Sequence, residues 1–121
     1  MPPTILVALA GGLGAAARYR IAVAVGSRSF PWATLGINVV GCFLIAVLLA
    51  GPAPARWGTT TTAALGVGLL GGFTTFSTFG YETFSLLRDE RVGAALGYAA
   101  ASLVLGMLAV AAGYSLGRAL R

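Results

Sequence analysis

Four long apolar blocks separated by short polar breaks dominate the pattern of hydrophobic and polar positions along this chain. They cover approximately residues 4–25, 32–50, 59–87 and 92–116. A helix needs about 20 predominantly apolar residues to cross the hydrocarbon core of a bilayer, and each block meets that length. The pattern therefore predicts four transmembrane helices, with residues 1–121 forming a single transmembrane domain.

The breaks between the blocks contain residues that lipid does not tolerate. They fall at residues 26–29, at the proline-rich residues 51–56 and at the charged residues 88–91. Connections this short leave no room for a soluble domain, and they require neighbouring helices to run antiparallel. The N-terminus lacks the positive region that opens a signal peptide, so we expect the first block to remain as a permanent span.

Composition supports a membrane location. Of the 121 residues, 58% are hydrophobic and only 9% are charged, whereas soluble domains carry about 25% charged residues. All eight basic residues are arginines, and the formal net charge is +5. Because the arginines are scattered singly between apolar blocks, they form no basic face that would bind nucleic acid. We therefore expect an all-α membrane protein.

The distribution of arginines bears on orientation in the membrane. With four spans, Arg56, Arg118 and Arg121 share one side, while four arginines lie on the other and Arg18 lies just inside the first span. Arginine bias normally fixes orientation, and this bias is weak. The chain is therefore compatible with insertion in both orientations, which would permit an antiparallel dimer.

Polar residues within a span are costly and tend to be functional. Thr34 and Asn38 lie four residues apart, on one face of the second helix. An asparagine amide in hydrocarbon needs partners, and two interpretations are open: the amide joins helices, or it lines a wet path. In the fourth span, Gly93 with Gly97 and Gly113 with Gly117 have the four-residue spacing that lets helices approach closely.

Residues 71–80 form the segment of the third block that is least suited to a helix. Paired glycines precede threonines and a serine, which are poor helix formers and whose hydroxyls can satisfy backbone groups released by a break. Freed carbonyls can bind a cation, and half-helix N-termini favour an anion. The segment predicts a break in the third helix; a kinked helix without an ion is the alternative.

Phenylalanines at positions 73, 76 and 79 recur every three residues in the same segment. Such a stripe usually packs in a core. Beside an ion path, however, a ring can turn its electropositive edge toward an anion, because the quadrupole is negative only on the face. Catalytic chemistry is poorly represented: there is no histidine, Cys42 is the only cysteine, and Glu82 is the only acid near a span. We predict that the chain is not an enzyme.

Three motifs resemble those of the Fluc (CrcB) fluoride channels. They are the runs at residues 11–19, 31–41 and 71–79, the last reading GGFTTFSTF. The resemblance covers the whole chain, with the motifs in the family's order. It implies a fluoride-selective channel for passive fluoride efflux across the bacterial inner membrane. It also implies an antiparallel, dual-topology homodimer with two fluoride pathways and a structural sodium ion at its centre.

The same resemblance implies roles for individual residues. The ring edges of Phe76 and Phe79 would meet fluoride, Asn38 would face the pore, and Thr34 would lie nearby. The further polar positions of the fluoride pathway would be Ser77, Thr78, Tyr98 and Ser102.

Other positions are implied to hold the sodium ion and to attract anions. The backbone carbonyls of Gly71 and Thr74 from both subunits would bind sodium, and Arg18 would lie at the vestibule. Gly106 is a serine in some members of the family, so this chain lacks one hydroxyl of the polar track.

Two other functions are compatible with a chain of this size. A small multidrug-resistance type, proton-coupled exporter needs a carboxylate in the membrane, typically in its first helix, and the first span here has none. A structural helper subunit of a larger complex would not conduct ions alone. The motifs favour the fluoride channel, with the exporter as its alternative.

Overall fold

The computed structural model describes residues 1–121 and contains helices but no strands. Four stretches are long and apolar enough to cross a membrane: Pro3–Val25, Trp32–Ala50, Ala53–Arg88 and Val92–Ala119. The prediction of an all-α protein with four membrane-spanning helices is therefore confirmed. The last of these helices continues to Ala119, beyond the predicted end at residue 116.

Three of the spans are continuous helices, α1 (Pro3–Val25), α2 (Trp32–Ala50) and α6 (Val92–Ala119). Proline occupies the first turn of α1, where its missing N–H has no intrahelical partner to lose. Gly26 follows the last residue of this helix, and glycine adopts its φ of 71° without steric cost.

The third span is built from shorter pieces. They are α3 (Ala53–Ala63), a π-helical segment (Ala64–Leu70), the single turn α4 (Gly71–Phe73) and α5 (Phe76–Arg88). The first three pieces follow one another directly, whereas residues 74 and 75 separate α4 from α5.

The break predicted at residues 51–56 is partly helical, because α3 already begins at Ala53. Pro54 lies in the first turn, where a helix tolerates proline. Gly58, with φ 77° and ψ 175°, then interrupts the helix. The predicted start of the third span, at residue 59, corresponds to the point where the helix resumes.

Thr74 and Thr75 separate α4 from α5. Their backbones are extended, with φ/ψ of −83°/160° at Thr74 and −151°/120° at Thr75. The Thr75 side chain caps α5, since its Oγ1 accepts a hydrogen bond from the backbone N–H of Thr78 at 3.2 Å. Threonine is a preferred N-cap residue because its hydroxyl satisfies an N–H that has no intrahelical partner.

Glycines of α6 bring that helix close to α2. A Cβ added to Gly117 would lie 2.9 Å from the Val47 carbonyl oxygen, and Gly113 is similarly close to the α2 backbone. Gly93 and Gly97, in contrast, have no neighbour within 4 Å of an added Cβ in the single chain. Close packing of α2 and α6 therefore depends on the second pair of glycines, near the C-terminal end of both helices.

The first helix packs against the middle of the third span. A Cβ on Gly14 would lie 2.8 Å from the Phe73 backbone nitrogen, and Gly72 meets the backbone of Gly11 in the same way. Direct backbone contact is possible only because both helices carry glycine at the crossing. The contact supports α4 just before the extended residues.

Candidate functional site

The side-chain amide of Asn38 is bonded to the backbone of Thr75 at both of its polar ends. Asn38 Nδ2 donates to the Thr75 carbonyl at 3.0 Å, and the Thr75 N–H donates to Asn38 Oδ1 at 2.9 Å. The amide thereby provides partners for both backbone groups of an extended residue. This geometry supports the interpretation that Asn38 joins helices. One Nδ2 hydrogen remains beyond these two bonds, and a pore-facing role for it stays a prediction.

Two carbonyls of α4 are released from the helical pattern. In a continuous helix the Thr75 N–H would bond to the Gly71 carbonyl, but it is donated to Asn38. The Gly72 carbonyl accepts a hydrogen bond from Arg18 Nε at 3.2 Å. The structure thus places Arg18 against the third span, and its vestibule role stays a prediction. Gly71 is exposed on the surface of the single chain.

Hydroxyl groups gather at the N-terminus of α5. Thr75 Oγ1 donates to Thr78 Oγ1 at 3.1 Å and lies 3.4 Å from Ser77 Oγ. The Thr74 hydroxyl instead bonds back to the Leu70 carbonyl at 3.0 Å. Unpaired N–H groups and the helix dipole make the N-terminus of a helix favourable for an anion. Sequence reasoning included Ser77 and Thr78 but missed Thr75, which is central to the cluster.

An aromatic group continues from α5 to α6. The ring centroids of Phe76 and Phe79 are 5.8 Å apart, and those of Phe79 and Tyr98 are 5.0 Å apart in an edge-to-face arrangement. Tyr98 is completely buried, whereas Phe76 is 84% exposed. The structure thus brings these three predicted residues together, and it leaves Phe76 projecting from the surface of the single chain.

Glu82 joins this group although it was not among the predicted site residues. The Tyr98 hydroxyl donates to Glu82 Oε1 at 3.3 Å. The buried Thr34 side chain lies beside the same hydroxyl. The signal was present in the sequence, because Glu82 follows Phe79 by three residues, which makes the two side chains neighbours on the helix surface.

Ser102 lies one turn beyond Tyr98 on α6, and its hydroxyl is buried without a hydrogen-bond partner. Buried hydroxyls are normally paired, so the Ser102 hydroxyl is an exception that keeps its hydrogen-bonding capacity unused. Gly106 occupies the next turn, where an added Cβ would lie 3.6 Å from Cys42 Sγ of α2. Cys42 extends the face of α2 that carries Thr34 and Asn38. This face therefore lies opposite the predicted polar positions of α6.

These observations define the class of protein. It is a small multi-pass helical membrane protein whose polar and aromatic residues gather around two extended residues of its third span, an arrangement suited to ion passage. The chain belongs to the CrcB family, described as "CrcB-like protein, Camphor Resistance (CrcB)", which matches residues 5–114. The resemblance seen in the three sequence motifs is confirmed.

Relatives from several bacteria are similar over nearly their whole length. A protein of Thermus thermophilus, named fluoride-specific ion channel FluC, is 47% identical over 119 residues, covering 96% of this chain and 94% of the relative. Proteins with the same name from Novosphingobium aromaticivorans and Geobacter sulfurreducens are 43% and 40% identical. The alignment with the Novosphingobium protein covers 98% of both chains. The alignment with the Geobacter protein covers 99% of this chain and 100% of the relative.

Proposed function

We propose that this chain is a fluoride-selective ion channel that allows passive fluoride efflux across a bacterial cell membrane. The observation that carries the proposal is its nearly full-length similarity to bacterial proteins named as fluoride-specific ion channels. Together with the four spans, the similarity identifies a multi-pass membrane protein and a channel rather than an enzyme.

The donors around the extended residues suit a small anion. Transfer of even a carboxylate-sized ion into a low-dielectric medium costs on the order of 20 kcal/mol by an idealised Born calculation, and fluoride is smaller. Hydroxyls of Ser77 and Thr78, the second Nδ2 hydrogen of Asn38 and the ring edges of Phe76 and Phe79 would replace water around fluoride. All are neutral groups, so they would bind the ion weakly enough for it to leave.

The functional unit in this proposal is an antiparallel homodimer. Phe76 and Gly71 are exposed in the single chain, and non-helical backbone at membrane depth survives only under a cover of protein or enclosed water. A second copy would cover Thr74 and Thr75 and enclose the projecting ring. The weak arginine bias supports insertion of the two copies in opposite orientations.

The proposed dimer holds a structural sodium ion through backbone carbonyls. Gly71 has a carbonyl released by the Asn38 bond, and Thr74 presents its carbonyl from extended backbone. No cluster of three or more histidine, cysteine or acidic side chains offers another metal site. Oxygen ligands suit a hard cation. A buried cation would also favour a nearby anion electrostatically.

The proposal can be tested by fluoride release from liposomes. Purified protein is reconstituted with potassium fluoride inside, valinomycin is added to clamp the voltage, and an ion-selective electrode follows fluoride while chloride is measured in parallel. We expect rapid fluoride release with little chloride release. Release no faster than from protein-free liposomes, by protein shown to be folded, would contradict the proposal and favour the exporter alternative.

A further inference from the structure

A groove of about 380 Å³ lies between the end of α2, the first part of the third span and the C-terminus of α6. Leu48 of α2 and Leu65 and Leu69 of the π-helical segment line it, and Leu120 contributes from the end of the chain. Arg56 is the only charged residue in its wall. The groove is large enough for part of a small-molecule ligand, and its lining suits a hydrocarbon chain.

A second recess, of about 440 Å³, adjoins this groove through shared Pro52 and Arg56 and is also lined by Arg121. Neither arginine has an acidic partner, because the only ion pair in the chain joins Arg88 and Asp89. The carboxylate side chains lie at the opposite end of the helices, where Glu82 and Asp89 line a separate cavity. The Arg56 end is therefore positively charged with no carboxylate side chain to balance it.

We expect this end of the molecule, set apart by the interruption at Gly58, to lie at the depth of lipid headgroups. The interruption turns the short Ala53–Trp57 part of α3 away from the rest of the helix. Trp57 is 55% exposed and lines the groove beside Arg56. Tryptophan is enriched where membrane meets water. The apolar groove would thus extend into the hydrocarbon region, with Arg56 and the neighbouring Arg121 at the polar boundary.

We propose that this groove is a binding site for an anionic phospholipid. The phosphate lies between the guanidinium groups of Arg56 and Arg121, and one acyl chain lies along Leu48, Leu65 and Leu69. Arginine binds phosphate through charge-assisted hydrogen bonds, and basic pockets between transmembrane helices bind lipid headgroups. A membrane lipid combines the anionic group and the hydrocarbon chain that the two adjoining recesses require.

The site is separate from the fluoride pathway proposed above and does not depend on conduction. It shares no residue with the cluster around Asn38 and Thr75. Lipid binding can therefore be measured on purified protein without any transport assay, so that failure of either proposal leaves the other standing.

Native mass spectrometry of the full-length protein tests the site directly. Protein in detergent is titrated with phosphatidylglycerol or with phosphatidylethanolamine carrying identical acyl chains, and bound lipids are counted. We expect preferential binding of phosphatidylglycerol, weakened about tenfold or more by combining Arg56→Gln with Arg121→Gln. The matched control, Arg20→Gln with Arg28→Gln, removes the same charge from the other end and should preserve the preference.

A second pair of variants tests the hydrocarbon part of the site. Leu65→Trp fills the groove and should weaken phosphatidylglycerol binding, whereas Val67→Trp, at an exposed position outside the groove, should not. Equal binding of the two lipids, or binding unaffected by the arginine changes, would overturn the proposal. So would full displacement of the lipid by inorganic phosphate, which would indicate a free-anion site. A loss of dimer mass in Leu65→Trp alone would indicate a subunit interface instead.

Discussion

Asn38 gives the third span the two hydrogen bonds that its extended Thr75 cannot make within a helix. Replacement by alanine would leave an N–H and a carbonyl unpaired in a largely apolar setting, and each such group costs about 1–3 kcal/mol. We expect Asn38→Ala to lower the free energy of unfolding by at least about 2 kcal/mol. Thermal unfolding in detergent, followed by circular dichroism, measures this change.

Ser115→Ala is the matched control for the asparagine substitution. The Ser115 hydroxyl bonds only to the Ala111 carbonyl of its own helix and is exposed, so its loss should change the melting temperature little. If Asn38→Ala melted at the same temperature as the control, the amide would not support the third span. Fluoride release by the same variants would show separately whether the bonds are needed for conduction.

Phe76 is the aromatic residue at which an effect on fluoride release can best be separated from an effect on folding. Its ring is largely exposed in the single chain, so Phe76→Ile should leave the fold of each subunit nearly intact. Isoleucine has no electropositive ring edge, and we expect at least about a tenfold loss of fluoride release, equivalent to about 1.4 kcal/mol. Liposome efflux rates measure it.

Phe84→Ile provides the comparison for Phe76, because it makes the same change at an exposed position on the same helix. Phe84 takes no part in the aromatic contacts that join Phe76, Phe79 and Tyr98. The Phe84→Ile variant should therefore conduct like the unmodified protein. Equal efflux by Phe76→Ile and Phe84→Ile would count against a ring-edge contact with fluoride.

At the scale of the helices, the contact between α2 and α6 depends on the absence of a side chain at Gly113. An added Cβ there would meet the Phe43 backbone and lie 3.0 Å from the Ala46 Cβ. Overpacking of this kind typically costs about 1–3 kcal/mol. We expect Gly113→Ala to lower the melting temperature in detergent, whereas Gly97→Ala, which meets nothing within 4 Å, should not. An unchanged melting temperature for Gly113→Ala would show that α6 can move away from α2 without cost.

Sequence reasoning found the four spans because each depends on a local property, an apolar run long enough for a bilayer. It also singled out Asn38 and the threonine segment, since polar residues stand out in such runs. It could not pair Asn38 with Thr75, 37 positions away, because helical periodicity carries no information on which helices touch. The early start of α3 was missed for a local reason: prolines mark turns but are also tolerated in a first helical turn.

For the whole molecule, the proposed antiparallel dimer predicts that neither orientation conducts alone. The combination of Arg118→Gln with Ser27→Arg shifts positive charge to one end of the chain. A second variant, with Arg20→Gln, Arg28→Gln and Ala119→Arg, shifts it to the other end. Because arginine-rich ends stay in the cytoplasm, each variant should insert one way and cells expressing either alone should accumulate fluoride. Co-expression should restore efflux; full efflux from either variant alone would contradict an antiparallel dimer.

The proposed central sodium ion predicts that conduction depends on sodium. Prolonged dialysis of the purified protein against a sodium-free potassium buffer, before reconstitution, should abolish most fluoride release. Return of sodium, but not addition of more potassium, should restore it. Efflux that survives complete removal of sodium would eliminate the reason to assign the carbonyls of Gly71 and Thr74 as ligands.

The hydrogen bonds that hold the extended residues have a consequence for how the protein is made. Arg18 and Asn38 precede their partners Gly72 and Thr75 by 54 and 37 positions. A ribosome therefore delivers both donors to the membrane before the third span emerges. Each backbone N–H or C=O group without a hydrogen-bond partner costs several kcal/mol in lipid. Because the partners are already in the membrane, the newly made third span can form these hydrogen bonds as it inserts. In a circular permutant that begins with the third span, this span would enter the membrane before Arg18 and Asn38 are synthesised. We expect such a permutant to be degraded more readily during biogenesis.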